Sequence, residues 1–533
     1  MGSHPQDTSV LSTWKMPPAM AQSACYQNPT MFSYGYFVSH SWRETLEHPA
    51  SLLTLHLLVV FSLHSALYLL LKRLRLPAIV VQNLAGVIIG SLVRRSPAAE
   101  NLILSDEADE VIHSLTTLAH LLFIFSTAVK TDVHTIRKSG RTAWTIGVLS
   151  VVAPLAVNWK IADEVDGFWR RRGLPGEPPE LSSYSFIQAV SQFAVTVPLL
   201  IELRILNSDV GRLCSSASLI GYCLGIATQY VFFCNRTILL LSGRAALKNI
   251  LFSAAFVLAT MAAGRAAMRT VVKRTPEGKP VAQPYIHLIL GLAGVVAVLS
   301  DMSGQEYRFG AFLLGLAVPA GPPLGSTLAK KVDPLVMGML MPLLMTYAGF
   351  YLQLRLRPEL LCGLAAGFGV AVLSFAAKMA VIVLPARLYK MPYRDAFVVC
   401  LILSAKGTVE IGLYTIFLAK KQVSEAFYST AVISFLITAT VIPSVVRRIY
   451  DPARRYASYQ RRDVLHAPRD RADLPILTCI HRQDDALASI DLLEQSDLAD
   501  ATPLSVFALH LVELVGRATP LFIDHHKHAG RGR

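Results

Sequence analysis

Between Leu52 and Val446 the chain alternates about thirteen apolar runs with polar loops. Each run is close to the ~20 residues that a helix needs to cross ~30 Å of hydrocarbon. The runs read as 52–71, 77–93, 111–129, 142–158, 184–203, 213–235, 246–264, 284–300, 307–320, 334–354, 360–385, 395–419 and 427–446. The ninth is short enough to pair with the eighth. The pattern predicts an all-α polytopic membrane protein, with a polar N-terminal segment over 1–50, a membrane domain over 51–446 and a cytosolic tail over 447–533. The lipid bilayer is thus the first expected partner.

The periodicity changes after Val446. "YDPARRYASYQRRDV" is a basic linker, followed by "LPILTCIH", "ALASIDLLEQS" and "LSVFALHLVEL". The first and third are apolar runs of strand length, and Leu487, Ile490 and Leu493 in the second recur at helical spacing. This reads as β–α–β, the start of a parallel-sheet domain. At the other end, residues Met1 to Ala50 have no short apolar core before a small-residue cleavage site, so no signal peptide is expected. Gln6 stands where a myristoylation motif wants Ser or Thr.

Composition sharpens the membrane reading. The chain is 53% hydrophobic and 16% charged, whereas a soluble domain carries ~25% charged residues. The net charge of +14 is assigned to Lys and Arg in short loops beside membrane helices, not to nucleic-acid binding. With residues 1–50 facing away from the cytosol, the cytosolic loops hold Lys72 and Arg73, then Lys130, Arg137, Lys138 and Arg141, then Arg265 to Lys279, then Arg387, Lys390 and Arg394. That asymmetry predicts an odd span count with a cytosolic C-terminus. Arg170, Arg171 and Arg172 fall on the opposite side. The seven Cys are scattered singly with no CxxC pair, so neither a metal site nor a disulfide framework is expected. No HExxH, no Gly-x-Ser-x-Gly and no paired intramembrane aspartates occur, so no enzyme and no cofactor is expected.

An ionisable group inside a membrane helix costs ~2.5–3.5 kcal/mol or more at the centre, which makes each one a functional candidate. Lys378 lies deep in the eleventh run, in "LSFAAKMAVIVL". The bland alternative is a lysine snorkelling to the interface. Lys406 and Glu410 in the twelfth run are four apart and share a helical face, and Gly407 beside Lys406 weakens the helix there. A mid-membrane break frees backbone groups that can hold an ion; the alternative is an ordinary salt pair. In the fifth run, "SFIQAVSQFAVTVPLLIEL", Gln192 and Thr196 are polar and Pro198 is the expected break. The sixth run contains no carboxylate, and Tyr222 and Gln229 are among its few polar points. Asp301 and Glu306 read as interfacial, and His120 as a packing or hydrogen-bonding residue. Gly86 and Gly90 form a GxxxG read as helix packing.

From Leu71 to its end the chain resembles the plant cation/proton exchangers of the monovalent cation/proton antiporter-2 group. The resemblance is carried by "LRLPAIVVQNLAGVIIGSLV", "LLIELRILNSDVGRLCSSASLIG", "GAFLLGLAVPAGPPLGSTLAKKVD", "AAKMAVIVL", "YKMPYRDAFVVCLILSAKGTVEIGLY" and the tail. It implies thirteen spans in inverted repeats, with two crossed discontinuous helices that match the fifth and twelfth runs. It also implies K⁺, sometimes Na⁺, exchanged for H⁺ across an endomembrane or the plasma membrane, a homodimer, and a partial universal-stress-protein-like α/β tail in a shortened member. The family's core lysine matches Lys378, and its crossover segment matches Ser404, Ala405, Lys406 and Gly407. Where relatives carry an acid in the sixth span, Gly221 and Tyr222 stand here.

The ion and proton pathway is therefore expected to involve Lys378, Lys406, Glu410, Thr196, Gln192 and Tyr222, with helix breaks at Pro198 and Gly407. Exchange needs a group that binds either a proton or a cation. Tyr222, with a reference pKa near 10, is poorly suited to that, which leaves Glu410 or Lys378. The second expectation is a non-transporting relative that pairs with a full-length exchanger and regulates it.

Overall fold

In a computed structural model of the chain the described residues are 49–74, 76–95, 106–131, 140–172, 181–240, 243–276, 281–352, 358–389, 391–419, 423–450, 474–481, 483–494 and 504–511. They fall into two units, residues 1–59 with 92–113 and residues 60–91 with 114–533.

The helices are α1 (Pro49–Leu71), α2 (Ala78–Val93), α3 (Asp106–Val129), α4 (Gly140–Arg172), α5 (Leu181–Ala189), α6 (Phe193–Glu202), α7 (Asp209–Leu240), α8 (Gly243–Arg274) and α9 (Gln283–Met302). They continue as α10 (Tyr307–Ala317), α11 (Leu324–Leu335), α12 (Met341–Phe350), α13 (Pro358–Leu388), α14 (Tyr393–Ser404), α15 (Thr408–Ala419) and α16 (Glu425–Ile449). Eleven helical segments among the described residues are long and apolar enough to cross a membrane, and α2 and α10 are shorter apolar helices. Together they account for all thirteen runs read in the sequence.

Boundaries differ where polar residues lie on one face of a helix. The tenth span begins at Leu324, not at 334, because α11 runs through a π turn at Val336–Leu340 into α12. Lys330, Lys331 and Asp333 give that stretch the look of a loop, yet Leu324, Leu328, Ala329 and Val332 bury the opposite face. Likewise α4 runs on to Arg172, well past the expected end at 158.

Burial separates the centre of the bundle from its rim. The most apolar stretch of Tyr393–Leu418 is 94% buried and that of Tyr184–Glu202 is 78% buried, against 17% for Leu247–Arg274. The fifth and twelfth spans are thus the inner pair, while α8 turns Leu247, Leu251 and Leu258 outward. Outward leucines cost nothing in hydrocarbon, which is why lipid-facing and core-facing runs look alike in the sequence.

Close backbone approach holds α2 against α12. A Cβ on Gly86 or Gly90 would collide with the Thr346 or Phe350 carbonyl. Asn83 Nδ2 donates to the Met345 carbonyl at 3.1 Å on the same seam. The GxxxG is a packing device here, as helix contact in lipid requires small residues.

In the tail, β1 (Leu474–Ile480) and β2 (Leu504–His510) pair in parallel, with Leu474 beside Leu504 and Ile480 beside His510. The helix α17 (Gln483–Glu494) connects them.

Candidate functional site at the crossing of two interrupted helices

Both inner spans are broken. The fifth span leaves helical form over Val190–Gln192, between α5 and α6. The twelfth does so over Ala405–Gly407, between α14 and α15. Gln192 and Ala405 both have extended backbone, with ψ of 118° and 137°.

The break in the fifth span corrects the sequence expectation. Pro198 lies inside α6 and interrupts nothing, while the chain opens over the three residues just before that helix starts. A proline removes only one N–H from the helix ladder, and α6 continues through it to Glu202. The opening is instead held by tertiary bonds: Ser191 Oγ donates to the Leu403 carbonyl at 2.9 Å. In the other span Gly407 sits within the break, and a Cβ there would come within 2.7 Å of Val195 Cγ1. The two openings therefore touch.

Each break exposes the end of one half-helix and the start of another. Carbonyls at a C-terminal end carry roughly −0.5 charge, and N–H groups at an N-terminal end roughly +0.5. Lys406 Nζ donates to the carbonyls of Gln188 at 2.8 Å, Ile187 at 3.2 Å and Val190 at 3.4 Å. It thus neutralises the C-terminal end of α5. Lys378 Nζ donates to Ser191 Oγ at 3.0 Å and to the Leu403 carbonyl at 3.4 Å, at the C-terminal end of α14. Although the apolar stretch of α13 is only 28% buried, Lys378 is 1% exposed. Its ammonium points into the protein and does not snorkel.

Glu410 caps the start of α15. Its Oε2 accepts the Gly407 N–H at 2.9 Å, one half of a capping box. Its Oε1 is buried and has no hydrogen-bond partner. Among the described residues no ion pair joins Lys406 to Glu410, because each serves a different half-helix end. His120 adds a further contact, Nε2 bonding to the Thr408 carbonyl at 3.1 Å.

The remaining expected residues divide. Thr196 Oγ1 donates to the Gln192 carbonyl one turn back at 3.2 Å, so its hydroxyl serves its own helix. Gln192 precedes α6 without capping it, and its Oε1 is buried and unpartnered. Tyr222, on α7, packs edge-on against Phe312 at 4.7 Å between ring centroids. Gln192 and Tyr222 share a cavity of about 120 Å³ with Gln229, Gln305, Glu306 and Arg308.

Arg308 is the residue that sequence reasoning missed. It is 1% exposed and the largest fully buried side chain among the described residues. Its Nη2 pairs with Glu306, and its Nη1 has no hydrogen-bond partner. In the sequence it stands one residue into α10, beside a polar turn, where an arginine reads as interfacial. The brevity of α10 was the available signal: an eleven-residue span cannot keep its ends at both surfaces.

Two interrupted helices crossing in the centre of a membrane-spanning bundle, with lysines on their carbonyl ends, are an arrangement that secondary carriers use to build their sites. The chain belongs to the sodium/hydrogen exchanger transmembrane family, which matches residues 59–450. Within that family it is similar to plant cation/H⁺ antiporters. It is 31% identical to cation/H⁺ antiporter 3 of Arabidopsis thaliana over 509 residues, covering 91% of this chain and 60% of that protein. It is 29% identical to cation/H⁺ antiporter 8 of the same plant, covering 96% of this chain and 62% of that one. The chain thus spans about three-fifths of the length of these relatives. A sodium proton antiporter of Methanocaldococcus jannaschii has a similar fold, with a TM-score of 0.51 at 15% identity, over 74% of this chain and 97% of that structure.

Proposed function

We propose that the chain exchanges a monovalent cation, K⁺ in the first place, for H⁺, and so contributes to ion and pH homeostasis. The observation that carries this reading is the unpaired, buried Oε1 of Glu410 at the crossing, flanked by Lys406 and Lys378. A carboxylate with a free oxygen can hold a proton or a cation, and not both at once. Glu410 takes that role because the sixth span presents Tyr222 and no acid. Lys378 and Lys406 hold the half-helix ends, while Gln192, Thr196 and Tyr222 line or support the approach. Each lysine keeps its ammonium on backbone carbonyls, which leaves Glu410 as the group free to change partners.

The chain would act as a homodimer in an endomembrane or the plasma membrane, with its C-terminus in the cytosol. The segments 1–50 and 447–533 would flank the carrier domain, the latter as part of a universal-stress-protein-like domain. Purified protein in sealed vesicles tests the activity: an imposed K⁺ gradient is expected to change lumenal pH, and a Na⁺ gradient to do so less. No pH change with any monovalent cation would reject exchange. Growth rescue of a K⁺-transport-deficient cell across a range of external pH would then set the preferred ion.

A second reading has its own observation in favour. The start of α6 has neither a capping side chain nor an acid in its first turn. A crossing with one helix end unbalanced suits a non-transporting relative that pairs with a full-length exchanger and regulates it. Co-reconstitution with such an exchanger separates the two, because only this reading expects altered flux from the partner and none from the chain alone.

A further inference from the structure

Four half-helix ends meet at the crossing, and three are matched by a side-chain charge: Lys406 on α5, Lys378 on α14 and Glu410 on α15. The fourth, the N-terminal end of α6, is not. No side chain caps it, no acid occupies its first turn, and Val190 and Gln192, which lead into it, line the cavity. The same cavity receives Arg308, 1% exposed, whose Nη1 has no partner. A positive helix end and a free guanidinium N–H thus border one cavity, and α7 brings Tyr222 and Gln229 to it, not a carboxylate.

We propose that this cavity binds a small monovalent anion of the chloride class, held between the N-terminal end of α6 and the free Nη1 of Arg308. A bound anion supplies the negative charge that the sixth span does not. The backbone N–H groups at a helix start are ready anion donors, and a guanidinium adds directional ones. The volume of about 120 Å³ is roughly four waters' worth, enough for one such ion with part of its hydration shell. The Gln192 amide can turn its NH₂ toward the ion, since the two ends of an amide are interchangeable in shape. Glu306 opposes the anion, but its charge is taken up by Nη2 of Arg308, and its side chain is 28% exposed at the rim. A cation entering the cavity would meet the guanidinium and the positive helix end together.

The proposal does not depend on exchange activity, so binding is measured without transport. Thermal unfolding of the purified full chain in detergent is followed in sodium chloride and in sodium gluconate at equal ionic strength. Chloride is expected to raise the unfolding midpoint saturably, as a ligand of the folded state does. Arg308→Met should remove that rise. Gln192→Glu and Tyr222→Asp place a carboxylate at the helix end or across the cavity, and should fold yet lose the chloride response. Equal midpoints in chloride and gluconate for the natural chain would overturn the proposal. So would a chloride response that persists in both acid variants, which would mark it as a general salt effect. A chain that shows the response and moves no cation would retain the anion site and lose only the exchange reading.

Discussion

The two breaks at the crossing obtain their charges differently. The opening between α14 and α15 brings its own: Lys406 lies in it, and Glu410 follows one turn later. The opening between α5 and α6 has only Val190, Ser191 and Gln192, and its charged partners come from elsewhere, Lys406 from the twelfth span and Lys378 from α13. One break is recognisable from its own residues. The other is held open by groups more than a hundred positions away. A discontinuous helix in lipid is stable only where its freed backbone groups find partners, and those partners need not be local.

The largest test of this asymmetry is Lys406→Ala. It leaves three carbonyls at the end of α5 without their donor. Each buried carbonyl left without a donor costs ~1–3 kcal/mol, so loss of folded yield or a large fall in unfolding midpoint is expected. A near-normal midpoint would show that the fifth span keeps its opening unaided. Next comes Lys378→Ala, which removes two charged hydrogen bonds worth ~1.5–3 kcal/mol each at most. Cation-driven proton flux should fall to background, and unchanged flux would remove Lys378 from the pathway.

Gly407→Ala probes the contact between the two openings. Its Cβ would press on Val195, and overpacking typically costs ~1–3 kcal/mol. The double variant with Val195→Ala should recover most of the lost stability, and no recovery would place the strain elsewhere. Glu410→Gln keeps the shape and an oxygen able to accept the Gly407 N–H, so less than ~1 kcal/mol of stability should be lost. Flux should nevertheless vanish, and retention of a normal pH profile would reject Glu410 as the exchanging group. Pro198→Ala is expected to do least. It restores one N–H to the interior of α6, worth ~0.5–1.5 kcal/mol, and should leave flux intact; loss of flux would return Pro198 to the site.

Thirteen apolar runs, the inward lysine at 378 and the weak point at Gly407 could all be read along the chain, because each is a property of a few neighbouring residues against a uniform lipid solvent. Hydropathy also set the tenth span too short, since it averages over α11, a helix with one charged and one apolar face. The place of the first break was legible only as a polar stretch. Pro198 was the most conspicuous residue in it, yet the opening lies where Ser191 and the carbonyls of Ile187 to Val190 meet the other span.

By itself the sequence determined which segments enter the membrane, since burial in lipid depends on length and polarity alone. The tertiary structure decided which segments cross at the centre, which end of each half-helix meets which charge, and that Arg308 turns inward. The crossing follows from partnership between distant helices, as Lys406 and Lys378 reach groups about two hundred positions away in the chain, while Arg308 turns inward with a near neighbour, Glu306, as its ion partner.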